Sequence, residues 1–415
     1  MKKEFFVQNR KNLHDRLPDQ SITLFFAGEA PQKSADDKYV FTPNRNFYYL
    51  TGLVKEQLIL AFLKLDGKVE EQLYIQRVDP VLEKWEGKML TTDEAKELTG
   101  VATVRYLDEF ESVAFNRTLH NNEVHALALD LERRGFDALP TRANLFAQEA
   151  KTRYPYLQIV NIYPAVSELR TRKTAEEVAK IKKAAELTNL GIQRMMKHAH
   201  ECETEYQLEA HFNFALHSAG IRETAFHSIV AAGGNATVLH YSENNCRIGD
   251  NELVQIDLGA EFEFYKADIS RVIPKSGTFT DRQKQLYNIV LKAELEVIAA
   301  IKPGVPFKEL NEIAKRVLAE GCIQIGLIQE ASELPEYYYH GVSHHLGLDT
   351  HDVGNYRELV LEPGMVLTVE PGLYVAAEQI GIRIEDDVLV TEDGHEVLSE
   401  GILKTVEEIE AYMAR

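Results

Sequence analysis

The stretch from Leu253 to Arg271, LVQIDLGAEFEFYKADISR, constrains this chain more than any other. It reads as two strands joined by a tight return. Val254, Ile256 and Leu258 alternate with polar or small residues on the way in, and Ala267, Ile269 and Val272 continue the apolar texture on the way out. A return centred between Phe262 and Glu263 places Asp257 directly opposite Asp268. Directly opposed residues share a face, a few ångströms apart. Two carboxylates that close repel each other, and the hairpin offers neither an obvious basic partner. A bound cation or a shared proton is the simplest relief. Two solvated aspartates on a charged hairpin face are the plainer alternative.

A chain of 415 residues exceeds what one ordinary core holds, which predicts two domains. The net charge of −19 argues against nucleic acid or an anionic membrane as the main partner. No apolar run approaches the roughly 20 residues needed to span a bilayer. The first ten residues, MKKEFFVQNR, meet charge too soon for a secretory leader. Cys202, Cys246 and Cys322 are widely spaced, which predicts a reducing, cytoplasmic setting and no zinc ribbon.

Residues 1–166 alternate short strands and helices, an α/β pattern. Residues 21–27 and 58–63 read as buried strands, residues 71–76 as a half-exposed neighbour, and residues 91–98 and 139–152 as helices. No glycine-rich phosphate loop or ligand cluster occurs there. Phe47-Tyr-Tyr-Leu50 reads as core or interface packing. Trp85, the sole tryptophan, stands in a polar stretch and suggests an interface or pocket edge. The boundary falls between Pro164 and Lys173, which gives a second domain of residues 167–415. Capping boxes at Thr174–Glu177, Thr204–Gln207 and Thr280–Gln283 start three helices, and a fourth runs from Phe307 to a stop at a glycine after Glu320. Two rounds of helix, helix, strands resemble an internal duplication, without a matching sequence period.

Chemistry gathers in this second half. Residues 340–352 hold His340, His344, His345 and His351, with Gly341, Gly347 and Gly354 opposing a helix. That density points to metal binding or acid–base work. Residues 365–374, MVLTVEPGLY, place Glu370 at the end of a buried strand, where a carboxylate needs a partner. In residues 381–390, alternation puts Arg383 and Glu385 on one face. A salt bridge between those two is the plain reading. Taken together, Asp257, Asp268, His344, Glu370 and Glu385 bring four negative charges and one imidazole. That set balances two divalent cations. Oxygen-rich coordination with one nitrogen favours manganese, with cobalt, iron or zinc as alternatives. Two metals roughly 3.5 Å apart polarise a carbonyl and generate a bridging hydroxide, the chemistry of metal-assisted hydrolysis.

These segments, together with Asn44–Leu53 in the first half, resemble the metallopeptidases of the pita-bread fold, and within them the aminopeptidase P (Xaa-Pro aminopeptidase) group. The resemblance covers essentially the whole chain. It implies an α+β protein with a C-terminal pita-bread domain and a smaller N-terminal α/β domain that serves oligomerisation and the edge of the cleft. It implies that Asp257 chelates one metal, Asp268 and Glu385 bridge both, and His344 and Glu370 complete the second. It places His240 near the substrate, His340 beside the site, and His351 on the substrate carbonyl or its oxyanion. Arg383 orients site carboxylates or substrate, and Glu370 shuttles a proton. Trp85 matches a tryptophan near the cleft of a neighbouring subunit, and His345 replaces a bulkier aromatic. The implied activity is release of the first residue from peptides beginning Xaa-Pro, by a homodimer or homotetramer. A prolidase restricted to Xaa-Pro dipeptides shares these ligands. A metal-free peptide-binding module of the same fold would have lost them.

Overall fold

The computed structural model describes residues 1–116 and 123–414. The chain divides into two compact units, Met1–Leu169 and Arg170–Arg415. The first unit is built on a six-stranded sheet of β1 (Ser21–Phe26), β2 (Ile59–Leu65), β3 (Lys68–Ile75), β4 (Thr103–Tyr106), β5 (Ala126–Leu129) and β6 (Gln158–Asn161), in the order β4-β3-β2-β1-β5-β6. β1 is buried on both faces, Ser21 and Thr23 as fully as its apolar residues. Asp66 and Gly67 join β2 to β3 with positive φ at both positions, the turn whose twist suits a two-residue hairpin. Phe47–Leu50 lie in the buried helix Arg45–Thr51, which Asn44 caps through the Phe47 amide. Trp85 is 85% exposed.

The second unit pairs helices Ala175–His198 with Glu205–Ser218, and Asp281–Ala300 with Phe307–Gln324. Between them lie β7 (Ile229–Ala232), β8 (Leu253–Leu258), β9 (Glu261–Phe262), β10 (Tyr265–Lys266) and β11 (Ile269–Pro274), followed by β12 (Val366–Val369), β13 (Gly372–Val375), β14 (Ile380–Arg383), β15 (Asp386–Val390) and β16 (His395–Val397). They form the three-stranded sheets β11-β8-β7 and β12-β15-β16 and the pairs β13-β14 and β10-β9. Each round of the helix–helix–strand pattern thus contributes one three-stranded sheet. The largest apolar core packs the helices against β7, β8, β11, β13 and β14. The fourth helix does not stop after Glu320 but continues to Gln324. Gly321 lies inside it, where an added Cβ would sit 2.6 Å from Ile289 Cγ2. Glycine there permits close helix packing rather than ending the helix.

The hairpin register also differs from the sequence reading. Asp257 pairs with Ser270, and Ile269 with Leu258. The return is the two-residue turn Glu263-Phe264, with φ of 49° and 70°, and Phe262 pairs with Tyr265. Neither residue is a glycine or asparagine, so the sequence hides the left-handed turn that the strand twist favours. The slip is two residues, and a two-residue slip preserves the face. Asp257 and Asp268 therefore still point the same way, as diagonal rather than direct neighbours.

Arg271, on the opposite face of β11, ties this hairpin to the last strands. Its guanidinium is wholly buried and donates to the carbonyls of Ser270, Glu385, Ile402 and Leu403 and to the Asp386 carboxylate at 2.8 Å. Removing one partner of a buried pair leaves an uncompensated charge. Arg271→Ala is expected to lose about 3–5 kcal/mol in denaturant unfolding, against about 0.5 kcal/mol or less for Lys315→Ala in an exposed helical pair with Glu312. Equal losses for both would refute this account of the hairpin's anchorage.

Candidate metal centre

Five acceptor side chains reach one place from separate elements. Asp257 stands on β8, Asp268 just ahead of β11, Glu370 just past β12, and Glu385 between β14 and β15. His344 comes from the glycine-interrupted segment before β12. Donor atoms of Asp268, His344 and Glu385 lie within 4.8 Å of one another. His344 Nε2 is 3.5 Å from Asp268 Oδ2 and 3.6 Å from Glu370 Oε1. Its Nδ1 meets the His345 carbonyl at 3.0 Å. A neutral ring that donates there keeps its Nε2 lone pair facing the carboxylates, the usual arrangement of a ligating histidine. Burial, then the neighbouring His351, pushes His344 down to about 4, so the ring is neutral at ordinary pH.

Arg383 holds the rest of the set. It donates to Asp257 Oδ2 at 2.5 Å, to Ser270 Oγ at 3.0 Å and to the Tyr374 hydroxyl at 2.9 Å. Ser270 Oγ in turn donates to Glu385 at 2.9 Å. Arg383 and Glu385 share a face without pairing directly; the serine stands between them. Asp257 Oδ1 is buried with no protein partner. The remaining carboxyls are strained electrostatically. Burial, then Glu385 and Asp257, holds Asp268 well above the ordinary carboxylate range. Burial, then Glu370 and Asp257, does the same for Glu385. Burial raises Glu370 to about 8, with Asp257 adding to it and Arg383 opposing. These oxygens and one imidazole nitrogen fit divalent cations. They are desolvated, mutually repelling, and left with an unsatisfied buried oxygen that a cation would satisfy.

The histidines named from sequence ring this set at different depths. His340 Nε2 lies 2.8 Å from the Tyr374 hydroxyl, and its Nδ1 is 3.8 Å from Glu370. Burial, then Arg383, pushes His340 down to about 4. The His351 ring sits 4.2 Å from that of His344 and faces solvent. His240 is exposed, and the Leu239 carbonyl before it accepts from Arg383 at 3.5 Å. His345 is fully buried against Tyr356, and an added Cβ on Gly354 would meet its ring at 2.3 Å. Sequence reasoning does not single out Ser270, Tyr374 or Asp352. Alternation along β11 could have found Ser270, which shares Asp268's face. Asp352 is buried between Arg170 at 2.5 Å and Lys173 at 3.0 Å, and fixes the segment that carries His344 and His351.

The profile of metallopeptidase family M24 matches residues 179–392, more than half of the chain. The chain belongs to metallopeptidase family M24. The aminopeptidase P N-terminal domain matches residues 6–125, so this M24 chain is of the aminopeptidase P type. It is 34% identical to the Xaa-Pro aminopeptidase of Escherichia coli K12, across 98% of this chain and 97% of that protein. It is 31% identical to human Xaa-Pro aminopeptidase 3, across 94% and 80%. A Bacillus anthracis structure, solved as a candidate aminopeptidase P, superimposes with a TM-score of 0.98 at 53% identity, covering 100% of this chain and 99% of that one. The E. coli aminopeptidase P structure with the inhibitor Pro-Leu gives 0.90 at 32% identity, covering 100% and 98%. The M24 half is therefore a pita-bread domain and the molecule a metallopeptidase hydrolase.

A group whose folded pKa is raised supports folding below its unfolded pKa and loses that support as pH rises through the folded value. Chelated protein is therefore expected to lose melting temperature between about pH 4.5 and about pH 8, the Glu370 window, with Asp268 and Glu385 acting in the same direction. Divalent metal, which binds the ionised forms, is expected to remove that loss. Identical melting profiles with chelator and with metal across this window would contradict the assignment.

Proposed function

We propose that this chain releases the N-terminal residue from peptides with proline in the second position, at a dinuclear centre held by Asp257, Asp268, His344, Glu370 and Glu385. The observation that carries the reading is the convergence of Asp268, His344 and Glu385 donors beside an unsatisfied Asp257 oxygen. The full-length likeness to Xaa-Pro aminopeptidases and to a relative crystallised with Pro-Leu supports the substrate class. Divalent cations there supply a nucleophilic water of lowered pKa and polarise the scissile carbonyl. Manganese is the proposed metal, on the oxygen-rich donor set.

The chain's own residues do the rest. Arg383 holds Asp257 directly and Glu385 through Ser270, so the acceptors keep their spacing without a bound peptide. Glu370 takes a proton from the attacking water and passes it to the leaving nitrogen, a role that its place beside His344 and His340 allows. His351, exposed beside His344, donates to the oxygen that gains charge in the transition state. His340 and Tyr374 wall the Glu370 side, and His240 meets the substrate. Proline lacks an N–H and has a fixed φ, so a pocket shaped to its ring selects it where an ordinary backbone contact would fail. The proposal extends to a cytoplasmic homodimer or homotetramer built partly on the N-terminal unit, where Trp85, Val81 and Val40 stand exposed.

With manganese, an Xaa-Pro-Xaa tripeptide is expected to turn over far faster than its Xaa-Ala counterpart and to stop in excess chelator. His351→Ala is expected to lower kcat by about 10²–10³-fold with metal content unchanged. Turnover of Xaa-Pro dipeptides but no tripeptide would move the assignment to prolidase. Full activity in chelator would remove it.

A further inference from the structure

Glu205 belongs to no metal site and touches none of the five candidate ligands, yet its carboxylate is wholly buried with all its accepting capacity used. Oε1 accepts from the Ala232 amide at 2.8 Å and the Asn235 side chain at 2.9 Å. Oε2 accepts from the Tyr241 hydroxyl at 2.7 Å and the Cys246 amide at 2.9 Å. A buried carboxylate persists only with donors of this number and quality. It is not needed to cap its own helix, because the Gln207 side chain already accepts from the Glu203 and Thr204 amides. The four donors instead bracket one segment, from the end of β7 through the turn Gly233–Thr237 and His240 to Cys246.

That segment meets the metal centre on its other side. The Leu239 carbonyl accepts from Arg383, the same guanidinium that holds Asp257. The Thr237 carbonyl accepts from Tyr339, whose ring packs on Tyr374. Gly381 fits so closely under the turn that an added Cβ would stand 2.1 Å from the Ala236 oxygen. The loop is thus gripped from behind by one carboxylate and faces the site with His240. We infer that Glu205 is a positioning residue, which sets the His240 loop over the metal centre through its four hydrogen bonds. The effect on rate rests on the proposed peptidase reaction; the grip on the loop does not.

A double-mutant cycle on the manganese-loaded enzyme tests this, with rates normalised to bound metal. Glu205→Gln keeps the shape but turns one acceptor into a donor facing two donors. It is expected to lower kcat/KM for an Xaa-Pro tripeptide by about tenfold or more, as misplaced substrate contacts do. In a His240→Ala background the same change is expected to cost less than about twofold, the mark of residues acting as one unit. Losses that multiply in the double mutant, or a His240→Ala variant as active as the parent, overturn the proposal. Should Glu205→Gln fail to fold, Tyr241→Phe, which removes one of the four bonds, carries the same cycle with a smaller loss. Amide exchange over residues 233–241 separates the two readings. An inactive parent with faster exchange in the variant defeats the peptidase reading and keeps the grip; unchanged exchange defeats the grip.

Discussion

Everything in the second unit answers one electrostatic difficulty: four carboxylates are buried close together, and burial with mutual repulsion pushes up the pKa values of Asp268, Glu370 and Glu385. Desolvation already disfavours each charge, and Coulomb repulsion across a few ångströms of protein adds to it. No apolar packing relieves this. The fold is consequently arranged so that each acid is fixed by a different element, and the elements are locked by bonds remote from the acids. Arg271 is the clearest lock, joining β11 to Glu385, Asp386, Ile402 and Leu403 through four acceptors.

The architecture explains why strands and their ends, rather than helices, carry the four acids. A strand fixes a side chain to one face at every second residue, and adjacent strands repeat that face a few ångströms away. Asp257 and Asp268 exploit this within one hairpin, and Ser270, opposite Asp257, delivers Arg383's influence to Glu385. His344 does not lie on a strand. It depends on a segment where Gly347 lies against Asp352 and Lys173, and an added Cβ would come within 2.3 Å of the Asp352 carboxylate. Glycine is required there because the chain must pass a buried ion pair at contact distance.

Much of this is written in the sequence, and the parts that are not have physical reasons. The ligand set could be read because buried strands that end on acids are costly and therefore informative. The central hairpin's face was legible while its register was not. Period-two alternation fixes a face, but only turn chemistry fixes register, and Glu263-Phe264 disguises a turn usually made by Asn-Gly. Gly321 misleads for the opposite reason: it has the look of a helix stop but serves Ile289 across a helix pair. Ser270 and Glu205 were invisible because their importance lies in partners far along the chain. A serine inside a strand and a glutamate in a helix's first turn are both unremarkable by local pattern.

The charges behind the centre argue most directly for what the centre awaits. Asp352 and Asp386 are as deeply buried as the ligands. Burial would raise Asp352, but Arg170 and Lys173 hold it down at about 2. Arg271 and Lys404 hold Asp386 below the usual carboxylate range in the same way. Each of these supporting acids thus meets two cationic side chains. The four inner acids share only Arg383 among the arginines and lysines of the described residues, and the three of them with resolved shifts move upward. Asp387 is also pushed up by burial; it accepts the Asp268 amide, and its Oδ1 is buried without a partner. A chain able to place paired cations against its supporting acids could have done so at the centre. The inner acids combine a deficit of positive charge with repulsion between several carboxylates, which is what a site kept for divalent cations requires.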